Sequence, residues 1–345
     1  MKARAAWRHD LKRTGHKKLR RSQVLLALVG VVVALALLYQ GGRWLETRNA
    51  RPEQRGDATQ RFAAQTVEIG GESYRRRDEL TTILLMGIDR ASDATVIGYR
   101  NGGQADFLRL LVIDPTADTL TQIGIDRDTM TPITILGVLG DRSGVRTAQV
   151  SLSHGFGDGG AQSCEFTVDA VSNLLLGTQI DFYIALDLDG ISVLNDLVGG
   201  VEVTLEDDFS ALDPTMTKGT TLTLHGDQAE YYVRSRMNIG IGTNEARMAR
   251  QETYIAALSA LIDERVHGNK DFVGELYDAL EPYLTTNMTR GRLINEAWAA
   301  RDYARGETVS LAGTHQVGSD GFMQFYIDET ALEQTVLSQF YEKLQ

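Results

Sequence analysis

The chain has 345 residues, one cysteine, and a formal net charge of −11 from 35 basic and 46 acidic side chains. The lone Cys164 excludes an intramolecular disulfide, so stability rests on an ordinary apolar core, which a chain of this length can supply. Residues 1–22 hold nine Lys or Arg against Asp10 alone, which leaves the remainder at about −19. Such a surface repels nucleic acid, so no nucleic-acid partner is expected, and a polyanion could be held only by a local arginine cluster.

The basic tail, 1–22, precedes an uncharged run, VLLALVGVVVALALLY, at 24–39. A helix of that length covers about 24 Å of a roughly 30 Å hydrocarbon core, and Lys17, Lys18, Arg20, Arg21 and Arg43 can snorkel to make up the difference. The segment 23–40 is therefore read as one transmembrane helix, with a cytoplasmic N-terminus and an extracytoplasmic main domain. A cleaved signal peptide is the competing reading, but residues 40–44 (QGGRW) offer no clear small-x-small cleavage site. Residues 41–79, opening rich in charge and Gln, read as an extracytoplasmic stalk, and 80–345 as one domain with no linker-like interruption.

Within that domain TTILLMGI (81–88), FLRLLVID (107–114) and LTQIGID (120–126) predict short strands, the last two joined by a Pro-Thr-Ala-Asp turn. Next come a helix over CEFTVDAVSNLLL, a strand over IDFYIAL, a helix over DGISVLNDLV ended by Gly199 and Gly200, and a strand over VEVTL. Helices are predicted at 226–233, 245–266, 272–280 and 290–303, strands at 308–311 and 322–327, and a last helix from Glu329. This alternation means an α/β fold.

Chemistry-bearing residues gather at the ends of apolar runs. Arg127 and Asp128 follow a buried strand; Arg grips phosphate through two donors, and Asp holds Mg²⁺ or takes a proton. The same tripeptide also reads as an ion pair closing a strand. Asp89 and Asp106 sit where a hard cation or a turn would use them. Arg234 and Arg236, at a helix's end, suit either an anion or the helix dipole. Arg247, Arg250, Gln251 and Tyr254 share one helical face, as an anion site or as an ion-pair network with Glu245 and Glu252. SHGFGDGG (153–160) lacks the Lys-Ser/Thr ending of a P-loop and reads as a flexible loop shaping a site. No triad is expected: Cys164 reads as packing, and His154 and His225 as structural or solvent-facing.

TILLMGID, the Asp106 strand, GIDRDT, IDFYIALDLDG, LVGGVEV, YYVRSR and EARMARQ, in that order, resemble the successive motifs of the LytR-CpsA-Psr family of cell-envelope proteins over about residues 80–265. The resemblance implies an α/β/α sandwich with a central mixed sheet behind one N-terminal transmembrane helix, in type II membrane proteins of mainly Gram-positive bacteria. It implies a phosphotransferase, assisted by Mg²⁺, that moves teichoic acid, capsule or a related glycopolymer from a polyisoprenyl-diphosphate carrier to a peptidoglycan acceptor. Position by position it assigns Asp89 and Asp106 to the metal, and Arg127, Arg234, Arg236, Arg247 and Gln251 to the diphosphate. Asp106 or Asp128, beside Arg127, is then the candidate base. Two departures remove donors: Gln104-Ala105-Asp106 replaces the usual Arg-Ser-Asp, and Thr131 replaces an arginine. Arg109 is expected on the strand face opposite Asp106, so Arg142 or Arg146 is the candidate to fill the gap. A non-catalytic lipid-binding or regulatory protein and a lipid-diphosphate phosphatase are the alternative readings.

Overall fold

The computed structural model describes residues 62–344 apart from 63, 91–101, 138, 139, 141, 236–238 and 240–243. The basic tail, the 23–40 segment and most of the stalk lie outside these residues, and no helix among those described is long and apolar enough to cross a membrane.

A hairpin comes first, β1 (Thr66–Ile69) and β2 (Glu72–Arg76). The strands β3 (Thr81–Asp89), β4 (Gln104–Asp114) and β5 (Thr119–Ile125) follow, each antiparallel to the next. A second hairpin, β6 (Met130–Leu136) and β7 (Arg142–Gln149), leads into α1 (Leu152–Gly155) and α2 (Ala161–Leu174). Strand β8 (Phe182–Asp187) returns parallel to β3. The helical side follows: α3 (Ile191–Leu197), the ribbon β9 (Glu202–Thr204) and β10 (Thr221–Thr223), α4 (Asp227–Arg234), α5 (Asn244–Gly268) and α6 (Phe272–Leu280). Then come β11 (Leu284–Thr286), α7 (Arg290–Ala299), β12 (Ala304–Arg305) and β13 (Val309–Ser310). A third hairpin, β14 (Gly313–Val317) and β15 (Met323–Ile327), precedes α8 (Glu329–Phe340) and β16 (Tyr341–Lys343).

The central sheet has the order β11-β8-β3-β4-β5-β12, with β13 also on β5, and mixes parallel and antiparallel pairs. Both faces are covered, which is why β3 reads TTILLMGID with little polar alternation. Leu84, Met86, Ile88, Leu108, Leu110 and Ile123 face one core with Leu174 of α2 and Val336 of α8. On the other face Ile83, Ile113 and Leu120 meet Met288 and Ala300. A third core ties α3 to α6 through Leu194, Tyr232, Tyr254 and Val273. Gly200 closes α3 as predicted: its φ is +93°, and a Cβ there would lie 2.5 Å from Thr223 Cγ2.

The expected boundary at residue 80 is corrected. β2 pairs with β16 at the opposite end of the chain, and Tyr341 Oη donates to Phe62 O at 2.9 Å. Residues 66–69 and 72–76 are thus strand, not stalk: β2 finds backbone partners on β16 more than 260 positions away, and β1 pairs with β2. The helix predicted at 290–303 also ends earlier, at Ala299.

Candidate functional site

A bulge builds the site. In the β3–β4 ladder Gly87 faces Phe107 but Ile88 faces Ala105, so Asp106 is the extra residue. Released from two-residue alternation, the buried Asp106 carboxylate reaches α5, where Arg247 Nη1 lies 3.1 Å from its Oδ2. Arg109 reaches the same helix, pairing with Glu252 at 2.8 Å and donating to Gln122 Oε1 at 3.1 Å. The expectation that Arg109 and Asp106 point to opposite faces therefore fails at the bulge, and Glu252 is taken by Arg109.

Arg127 is aimed by its neighbours. Asp128 N donates to Asp126 Oδ1 and Thr129 Oγ1 to Asp126 O, a tight turn after β5 that sends the Arg127 side chain back to β4. There Nη1 lies 2.5 Å from Asp106 Oδ1, Nη2 donates to Gln104 Oε1 at 2.7 Å, and Nε is 3.6 Å from Asp128 Oδ1. Arg234, the last residue of α4, lies 3.0 Å from Asp89 Oδ1, 2.8 Å from Glu230 Oε1 and 3.2 Å from Asp189 Oδ1. Arg247 is also 4.0 Å from Asp89 Oδ2. The result is a row of alternating charge, Arg127, Asp106, Arg247, Asp89, Arg234, drawn from five separate elements or loops. Arg236 lies outside the described residues.

Burial raises the Asp89 carboxyl above its ordinary pKa, against the pull of Arg234. It raises Asp128 likewise, against Arg127. Among the described residues no group of three metal-binding side chains forms, and no donor makes an aligned hydrogen bond to the buried Asp106 Oδ1. The Asp106 Oδ1, buried beside Arg127 Nη1 without an aligned donor, and the partly buried Asp89 carboxylate are hard oxygen atoms of the kind a hard cation takes.

One turn beyond Arg247, Gln251 donates to Val233 O at 3.0 Å and opens onto a cavity of about 440 Å³ between the sheet and α5 to α7. Its wall is aliphatic, with Leu85, Leu111, Ile184, Leu258, Ile262 and Leu293. The charged row thus adjoins an apolar chamber, since Phe107 and Val233 line that chamber next to Asp106 and Arg234 in the chain and Gly87 lines it two positions before Asp89.

Other expectations resolve differently. Thr131 is buried and donates to Ala170 O, turned into the core rather than the site. Arg142 pairs with Asp169 at 3.2 Å over the Phe166 ring, and Arg146 is exposed on β7 opposite Ile133, so Arg142 is committed to α2. The 153–160 segment is packed, not loose: a Cβ on Gly157 would meet Ser163 Oγ at 2.4 Å, and Ser153 and His154 are buried. Cys164 is buried packing as expected. The sequence reading missed Glu230, Asp189, and the pairing of His315 with Asp126 at 2.8 Å. Glu230 was legible as the i−4 partner of Arg234, and Asp189 lies in the quoted DLDG.

Residues 46–340 match the LytR_cpsA_psr family. The chain belongs to that family. Among its curated relatives, the polyisoprenyl-teichoic acid–peptidoglycan teichoic acid transferase TagU of Bacillus cereus (strain AH820) is 23% identical over 257 residues, 74% of this chain and 76% of that protein. Among solved structures, protein gbs0355 from Streptococcus agalactiae superposes with a TM-score of 0.60 at 21% identity, over 76% of this chain and 88% of the other. TagV of B. subtilis does so with a TM-score of 0.53 at 22% identity, over 76% and 98%. The LytR_cpsA_psr membership and these neighbours agree with the mixed central sheet described above.

Proposed function

We propose that this chain is a membrane-anchored phosphotransferase that moves an anionic glycopolymer from a polyisoprenyl-diphosphate carrier to peptidoglycan. The observation that carries this reading is the alternating charged row beside the apolar cavity, a layout suited to an amphiphile with a multiply charged head and a long aliphatic tail. Membership in a family with relatives named as teichoic acid transferases supports it.

In the reaction an acceptor hydroxyl oxygen attacks the phosphorus that bears the glycopolymer. The bond from that phosphorus to the bridging oxygen breaks, and lipid monophosphate departs with the electron pair. Arg127, Arg234 and Arg247 hold the phosphate oxygens and stabilise the charge as it shifts. The hydroxyl proton passes to Asp106 or Asp128; burial already favours protonation at Asp128. Gln251 fixes the junction of head and tail.

Three guanidiniums face the five carboxylates Asp89, Asp106, Asp128, Asp189 and Glu230, so the cluster has no surplus positive charge for an incoming diphosphate. Asp89 and Asp106 would hold Mg²⁺, which when bound neutralises oxygens as a Lewis acid. The 23–40 segment would keep the domain beside a substrate confined to the bilayer.

The test is incubation of the full-length protein with lipid-linked glycan, Mg²⁺ and peptidoglycan, followed by detection of the new phosphodiester. Transfer is expected, with Arg247→Ala and Asp106→Asn each lowering kcat about 100-fold or more. Lipid binding without transfer would instead identify a binding protein. Release of phosphate to water would identify a phosphatase.

A further inference from the structure

The hairpin β14–β15 is fastened to the segment that carries Arg127 and Asp128. Phe325 N donates to Asp128 O at 2.8 Å, and Phe325 forms a bridge with Thr129. Gln149 Nε2 donates to Met323 O at 3.1 Å, and His315 Nε2 lies 2.8 Å from Asp126 Oδ2 with its ring 4.6 Å from that of Phe325. His315 and Phe325 are cross-strand partners, so they mark the inner face. By alternation the pairs Thr314–Tyr326 and Gln316–Gln324 stand on the outer one.

That outer face carries a hydroxyl, two amides and a phenol, and no charge. Tyr326 is 41% exposed and its Oη donates to Gln324 Oε1 at 2.8 Å. From 308 to 327 the sequence contains no Lys or Arg, and Asp320 is its one acidic residue. At the tip Val317 and Phe322 are 67% and 66% exposed. An uncharged strip is out of character on a domain near −19, and its position beside the charged row calls for an occupant.

Chemistry selects among the candidates. An anionic lipid surface attracts basic clusters, and this strip offers none, with Asp320 repelling at the tip. A second copy of the chain would need roughly 800 Å² of complementary surface on each side, more than two short strands provide. A sugar strand matches: pyranose rings present flat apolar faces to a Tyr ring, and their hydroxyls exchange hydrogen bonds with amides that both donate and accept.

We propose that the outer face of β14–β15 is the docking platform for the acceptor, an uncharged glycan strand of peptidoglycan. The inference rests on the transfer reading above and extends it to the second substrate. It assigns Tyr326 to ring stacking, Gln324 and Gln316 to hydroxyl recognition, and the hairpin's attachment to Asp126–Thr129 to registering the acceptor against Arg127.

The experiment uses the full-length protein, co-sedimented with purified peptidoglycan stripped of attached polymers, and separately titrated with a fluorescent polyisoprenyl diphosphate. A Gln324→Ala/Tyr326→Ala double variant should lose about tenfold in peptidoglycan affinity, and the acceptor KM should rise by the same factor. Its lipid-diphosphate affinity and its kcat at saturating acceptor should stay unchanged. Tyr326→Trp, which keeps a stacking ring, should bind as the parent does. Unaltered sedimentation of the double variant would overturn the platform and leave the transfer reading intact. Selective loss of binding to anionic phospholipid vesicles, or of self-association, would overturn it in favour of the membrane or a second copy. Absence of glycan transfer by the parent protein would sink the activity alone, because sedimentation decides the platform without it.

Discussion

His154 is enclosed, 1% exposed, with Nδ1 donating to Gly103 O at 3.3 Å and Nε2 3.9 Å from Cys164 Sγ. Burial pulls the ring pKa down to about 4 and pushes the thiol up to about 12, so the pair is uncharged at neutral pH and packs as a polar plug under the start of β4. The unfolded chain takes up the imidazole proton near pH 6.5, whereas the folded one stays neutral until about 4. Stability is therefore lost as pH falls through that window, by about 2 kcal/mol between pH 7 and pH 5 from this group. Urea unfolding at both pH values should show the loss in the parent and a smaller one in His154→Gln; identical losses would mean that the ring is not held neutral. A second pair of residues shows what periodicity can and cannot say. Arg247 and Arg250, three apart on α5, were rightly placed on one face, yet Arg250 donates to Tyr232 O and Ser235 O, pairs with Asp207 at 3.0 Å and lies over the Phe209 ring. It fastens the end of α4, while Arg247 turns to Asp106. Helical spacing gives a direction but not the partner that waits there.

At the scale of elements, what escaped the sequence is what has its partner far away or breaks a period. The apolar strands β3, β4, β5 and β8 and most of the helices were legible because each buries a face through its own residues. β1 and β2 were not: their burial is slight and irregular, and their stability comes from β16. The bulge at Asp106 was equally hidden, since it shows only in how two strands register. Strand β16 gives a prediction of its own. Tyr341 stacks edge-on against Phe62 at 5.5 Å and bonds its carbonyl, closing the terminal sheet over the α2 and α8 core. Tyr341→Ala should destabilise the domain by about 3 kcal/mol, read as a fall in the urea midpoint with the slope unchanged. Tyr341→Phe should lose only the hydrogen bond, about 1 kcal/mol. Equal midpoints for Tyr341→Ala and the parent would show that residues 62–76 do not share the core's stability.

At the scale of the domain two environments are joined: a charged row in which every guanidinium already has a carboxylate, and a mainly aliphatic chamber beside it. The row alone would be a poor anion site, because the carboxylates paired with its guanidiniums outnumber them. The chamber alone would take any apolar chain. Together they favour a ligand that presents both parts in one molecule, and the affinity should depend on tail length up to the capacity of the chamber. Leu111, on β4, lines that chamber and is only partly buried by protein. Leu111→Trp adds bulk to open space rather than to a packed core, so the melting temperature should hold or rise while the room for a tail shrinks. Affinity for a long polyisoprenyl diphosphate is expected to fall about tenfold or more, and affinity for a short water-soluble diphosphate to stay as it was. Titrating both ligands into both proteins separates head from tail. Should the long-tailed ligand bind the variant as tightly as the parent, the tail must lie elsewhere, and the charged row would need another explanation for its place beside the cavity.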